Sequence, residues 1–158
     1  VAMSQQFPSI NLYGLDWSRS SYEMVGMLAG SHGLRIKGLP FDFFNPDQSL
    51  DLDPDSGVLT MCALEQVGPR HEAFVNYVLL KKPKICVNME PLVDLYDETK
   101  LVDYLAARYH RKRGYLDGFL PHLRDLAAKG RIEILETRRF YFGSLYHEGY
   151  SYVDWRPL

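Results

Sequence analysis

Several things are scarce in this chain of 158 residues, and each scarcity excludes something. There are only two cysteines, Cys62 and Cys86, both inside apolar runs. No second Cys or His stands near either at ligand spacing, so no metal site is expected. The two read as buried free thiols in a reducing, cytoplasmic setting rather than as a disulfide. No apolar run reaches the roughly 20 residues that cross a bilayer. The first ten residues lack the basic flank and continuous apolar stretch of a secretory signal. There is no basic excess either: 18 Lys and Arg stand against 20 Asp and Glu. A protein that grips nucleic acid through its phosphates carries such an excess, so nucleic acid is not an expected partner. A GxSxG nucleophile elbow and a phosphate-cradling P-loop are both missing. The Asp-rich stretch 45–57 lacks the Gly and Glu positions of a calcium loop and reads as solvated loop.

What is present suffices for one core, with 46% hydrophobic residues. Residues 1–7 read as the end of a helix that Pro8 stops. Residues 10–15 and 34–39 are short β-prone runs. Between them lies a helix over 20–30, with Ser18 as its N-cap candidate and Gly30 and Gly33 at its end. Residues 58–64 and 85–89 are buried strands around a helix over 72–80, whose Phe74, Val75 and Val78 face the core. Helices over 99–109 and 116–129 follow, the second ended by Gly130. Residues 132–135 form a strand, and residues 138–142 and 150–155 alternate as an antiparallel pair added at one edge. Alternating strands and helices predict an α/β fold with a mostly parallel sheet.

In such a sheet, ligands bind outside the carboxyl ends of the strands. Four successive strands here run into a carboxylate: Asp16, Asp42, Glu65 and Glu90. Asp16 is placed to accept hydrogen bonds from ribose hydroxyls, with plain helix capping as the alternative. Asp42 could accept from an adenine amino group while Phe41 or Phe43 packs on the ring; ordinary loop structure is the alternative.

The segment LTMCALEQVG, then HEAFVNYVLLKKPK and ICVNMEP, resembles the fourth strand, helix and fifth strand of class I S-adenosylmethionine (SAM) dependent methyltransferases. The matching pieces are Leu64-Glu65-Gln66-Val67, Ala73-Phe74 and Leu80-Lys81-Lys82-Pro83. LYGLDWS and IKGLPFDFF are similar to the family's second and third strands. The resemblance implies a Rossmann-like three-layer sandwich with a reversed last strand, and SAM as cofactor. It implies that Asp16 and Trp17 meet the ribose, that Asp42 and Phe43 meet the adenine, and that Glu65 lies near the methyl donor. One departure stands out. The family's glycine-rich turn after the first strand is absent, and residues 1–10 resemble the tail of the helix that follows that turn. The expectation is therefore a single methyltransferase-like domain seen as a fragment, with a helical insertion at about 92–130.

Two clusters could serve the acceptor. In Tyr109-His110-Arg111-Lys112-Arg113-Gly114-Tyr115, His110 could be a base, with Arg113 and Tyr115 binding substrate. The alternative is a basic helix end that complements the dipole. In residues 142–150, Tyr146 and His147 are candidates for catalysis beside Glu148, and a structural hairpin is the alternative. Glu90 could reach an acceptor amine. His32, His71 and His122 look peripheral. The expected activity is methyl transfer to a small molecule. An RNA or protein methyltransferase, a non-catalytic interaction module and, more weakly, a dehydrogenase are the competing readings. An open sheet edge would favour association of copies.

Overall fold

The computed structural model describes residues 2–53, 55–140, 143–144, 147–148 and 151–158, the two short pairs by backbone alone. They form two compact units, Val1–Asp42 and Phe43–Leu158.

The first unit holds α1 (Ala2–Gln6), β1 (Leu12–Asp16), α2 (Arg19–His32) and β2 (Ile36–Pro40). Strands β1 and β2 pair in parallel, from Leu12 opposite Ile36 to Asp16 opposite Pro40. Helix α2 runs through Gly30 and stops at Gly33, whose left-handed φ of 60° closes it with a bond to the Ala29 carbonyl. Ser18 occupies the N-cap position, but its hydroxyl pairs with Ser20 rather than with the helix backbone. Helix α2 lies so close to β2 that any side chain at Gly38 would enter the Tyr22 carbonyl.

The second unit contains β3 (Gly57–Met61), α3 (Glu72–Lys81), β4 (Ile85–Glu90), α4 (Leu101–Arg113), α5 (Phe119–Ala128), β5 (Ile132–Arg139), β6 (Gly143–Ser144), β7 (His147–Glu148) and β8 (Ser151–Pro157). Short 3-10 turns cover Leu64–Val67 and Val93–Leu95. The main sheet has the order β3-β4-β8-β5. Strands β3 and β4 are parallel, and β8 is antiparallel to both β4 and β5. Three of the four strands therefore share one direction, with the last strand reversed.

The structure departs from the sequence reading at several points: the strand read over 58–64 ends at Met61, and the helix read over 99–109 runs from Leu101 to Arg113. Arg138 and Arg139 end the strand that Ile132 begins, with an irregularity between Ile134 and Glu136, instead of opening a new one. The reversed strand is not added at an edge: β8 lies between β4 and β5. Its Ser151, Val153 and Trp155 are buried and the residues between them are half-buried, as befits an interior strand. Phe74, Val75 and Val78 of α3 join Leu120, Leu123 and Leu126 of α5, together with Cys86 and Trp155, among the buried apolar residues. Neither cysteine forms a disulfide among the described residues.

Candidate functional site

The carboxyl ends of β3 and β4 are tied together by one carboxylate. Glu90, the last residue of β4, is wholly buried. Its Oε1 accepts from the Ala63 and Leu64 backbone N–H groups at 3.3 and 3.1 Å, and its Oε2 accepts from Glu65 N–H at 3.1 Å. The chain enters this turn through Cys62, which adopts a left-handed φ of 49°. Burial raises the Glu90 carboxyl above its ordinary value, against the opposing pull of Thr60 and the three backbone donors. Beneath it a buried ladder crosses three strands. Trp155 Nε1 donates to Asn88 Oδ1 at 2.7 Å, and Asn88 Nδ2 donates to Thr60 Oγ1 at 2.9 Å. Glu65 is buried at the turn and accepts from Gln66. The Cys62 thiol is pushed up to about 11, first by burial and then by Glu65 and Glu90.

Beside this turn lies a cavity of about 140 Å³, walled by Pro69, Val93, His110, Gly114, Tyr115 and Asp117 among others. Helix α4 positions His110 there. Its last turn is basic, and Gly114, at φ 66°, ends it with bonds back to the His110 and Arg111 carbonyls. His110 is buried, with Nε2 3.3 Å from the Tyr96 hydroxyl and its ring against Tyr96 and Tyr115. Arg113 lies over the Tyr115 ring at 5.3 Å and donates to its hydroxyl at 3.3 Å. Arg111 donates to Glu98 at 3.0 Å. Arg139 lies over the Tyr96 ring, 4.9 Å from its centre. Arg139 in turn grips Asp103 of α4 with two bonds.

In the first unit, Asp16 is half-buried at the end of β1, and its Oδ1 accepts from Ser18 N–H at 2.7 Å. Trp17 beside it is 84% exposed. Asp42 is exposed, two residues beyond β2. In the second unit, Phe43 packs edge-on against Phe74 of α3 at 5.2 Å.

So the structure gathers Glu65, Glu90, His110, Arg113 and Tyr115 within the second unit. Tyr146 lies outside the described residues. For His147 only the backbone is described, paired with Ser144. Two features were not legible beforehand. The Asp103–Arg139 pair spans 36 positions, with no local pattern to announce it. His71 and His122, read as peripheral, are instead packed ring to ring at 5.3 Å, and His71 is buried. The fold covers His71 because it sits at the N-cap of α3, against Phe119 of α5. No helix among the described residues is long and apolar enough to cross a membrane. They contain no cluster of three metal-ligating side chains.

No protein-family model matches the chain, and no curated protein matches its sequence. Solved structures do match. An O-methyltransferase family 2 protein from Planctomyces limnophilus, in complex with apigenin, superposes with a TM-score of 0.64 at 13% identity, over 99% of this chain and 45% of that one. LaPhzM superposes at 0.68 with 15% identity, over 99% and 46%. LepI in complex with SAM superposes at 0.55 with 11% identity, over 99% and 39%. The chain thus spans less than half the length of these solved chains. Shared strand directions, the reversed last strand and these superpositions give one conclusion: the chain has the Rossmann-like fold of class I SAM-dependent methyltransferases.

Proposed function

We propose that this chain serves SAM-dependent methyl transfer to a small-molecule acceptor. The observation that carries the reading is the cavity walled by buried His110 beside the turn that ends β3, in a fold shared with methyltransferases. Bound SAM would supply an electrophilic methyl on a positively charged sulfur.

The residues fit such a cofactor in kind. Asp16 Oδ1 is held by Ser18 N–H, and Oδ2 has no hydrogen-bond partner among the described residues, which leaves it for a ribose hydroxyl. Trp17 flanks it. Asp42 would take the adenine amino group and Phe43 would back the ring. Glu65 would lie toward the methyl donor. On the acceptor side, Arg113 and Tyr115 bind and orient, and Glu90 fixes the turn that carries Glu65. His110 or His147, the latter with Tyr146, would accept the acceptor's proton as its oxygen or nitrogen attacks. A small acceptor is favoured over RNA because the basic run of α4 is largely engaged within the protein: His110 is buried, Arg111 meets Glu98 and Arg113 meets Tyr115.

Calorimetric titration with S-adenosylhomocysteine tests the cofactor half. Saturable binding supports an enzyme. Absence of binding would move the assignment to a non-catalytic module that keeps the fold for assembly.

A further inference from the structure

His71 is 4% exposed, and His122 of α5 is half-buried beside it. The ring centres lie 5.3 Å apart, and the His71 and Phe119 rings meet edge to face with their centres 5.2 Å apart. The Nδ1 atoms of both histidines are buried without a hydrogen-bond partner among the described residues. Such an atom is costly to bury and cheap to protonate once water reaches it.

The position of the pair gives it leverage. His71 follows Pro69, one wall of the cavity, and starts α3. Phe119 and His122 follow Gly114, Tyr115 and Asp117, which also line the cavity, and belong to the first turn of α5. The segments that lead into the two helices come close: a side chain added at Gly68 would stand 2.8 Å from the Gly114 carbonyl oxygen. The imidazole contact thus pins the start of α3 to the start of α5, and with them the cavity-lining residues that precede each helix.

We infer that the His71–His122 contact is an acid-released latch on the acceptor cavity, closed while His71 is neutral and opened when it takes a proton. This rests on the proposed function only in naming the cavity as the acceptor site. Burial, then the neighbouring His122, hold the His71 imidazole below its ordinary value. The nearby Gly68 backbone and the carboxylates of Glu72 and Asp117 oppose them. A proton from water that binds His71 therefore creates a buried cation against another imidazole. Separating the rings lets that cation reach solvent while Glu72 and Asp117 stay nearby. Opening should become roughly tenfold more favourable per pH unit between the values of free and buried histidine.

Hydrogen–deuterium exchange of the full chain, at pH 7.5 and 5.5 and corrected for intrinsic rates, tests this without any assay of methyl transfer. Segments 66–76 and 114–124 should exchange at least about tenfold faster at the lower pH relative to β4 and β8. His71→Phe, which keeps an aromatic ring against Phe119, should abolish that difference. If His71→Phe does not fold, His122→Phe should reduce it, because the repelling neighbour is gone. Equal protection at both pH values, or a response that survives the folded His71→Phe protein unchanged, overturns the latch. Neither result bears on S-adenosylhomocysteine binding at pH 7.5, so the latch and the methyltransferase reading fail separately.

Discussion

Arg139 and Asp103 form a two-pronged ion pair, with Nη1 to Oδ2 at 2.7 Å and Nη2 to Oδ1 at 2.6 Å. The side chains are only 11% and 8% exposed, so strand β5 and helix α4 are joined by charges largely withdrawn from water. The same guanidinium donates to the Leu95 carbonyl and covers Tyr96, the hydroxyl partner of His110. This pair is thus two contacts away from the candidate base.

Asp103→Asn keeps the shape and removes the charge, leaving Arg139 poorly compensated. It should cost roughly 3 kcal/mol of stability, read by urea denaturation. The Arg139 bonds hold the Asp103 carboxyl below its usual range. A carboxylate depressed in the folded state stabilises above its unfolded value, about pH 4, and that contribution is lost as pH falls through the folded value. The wild-type protein should therefore show an acid-induced loss that Asp103→Asn lacks. A cost below about 1 kcal/mol would mean that water screens the pair.

Glu90→Gln places an amide where two carboxylate oxygens meet three backbone donors. One face of the turn loses its acceptor, at about 1–3 kcal/mol. Amide exchange at Leu64 and Glu65 should quicken before the rest of β3 does. Unchanged protection there would show that the turn stands without the clamp.

Gly68 has φ 61° and ψ −131°, in addition to its close approach to Gly114. Gly68→Ala should lose roughly 1–3 kcal/mol from backbone strain alone. It should also push apart residues 68–71 and 114–117, seen as chemical-shift changes at Tyr115 and Asp117. A neutral effect on melting would contradict this packing.

If Asp16 receives the ribose, Asp16→Ala should weaken S-adenosylhomocysteine binding by about 1–3 kcal/mol in calorimetry. Equal affinity removes Asp16 from the cofactor site.

The two base candidates separate by kinetics. His147→Ala should lower turnover far more than cofactor affinity if His147 takes the proton, while His110→Ala should then alter mainly the cavity. The reverse pattern assigns the proton to His110. A parallel fall in turnover and affinity for either variant marks it as structural instead.

Much of the architecture could be read from local pattern, because local energetics control it. The short β-prone runs became β1 and β2, the buried apolar runs became β3 and β4, the helix over 72–80 became α3, and Gly33 and Gly130 fell where helices stop. The order of alternating strands and helices was enough for an α/β sheet, and the resemblance of the segments around Asp16, Glu65 and Glu90 suggested the methyltransferase fold. Position in the sheet was beyond that reading. A reversed strand reads alike at an edge and in the interior, and β8 entered between β4 and β5 because its Val153 and Trp155 could be covered there. The contacts that shape the cavity were equally hidden. Glu90 meets its backbone donors across 25 to 27 positions, Arg139 meets Asp103 across 36, and His71 meets His122 only once α3 and α5 have docked. Such pairings follow from loop closure and burial over the whole chain, which leave no mark on neighbouring residues.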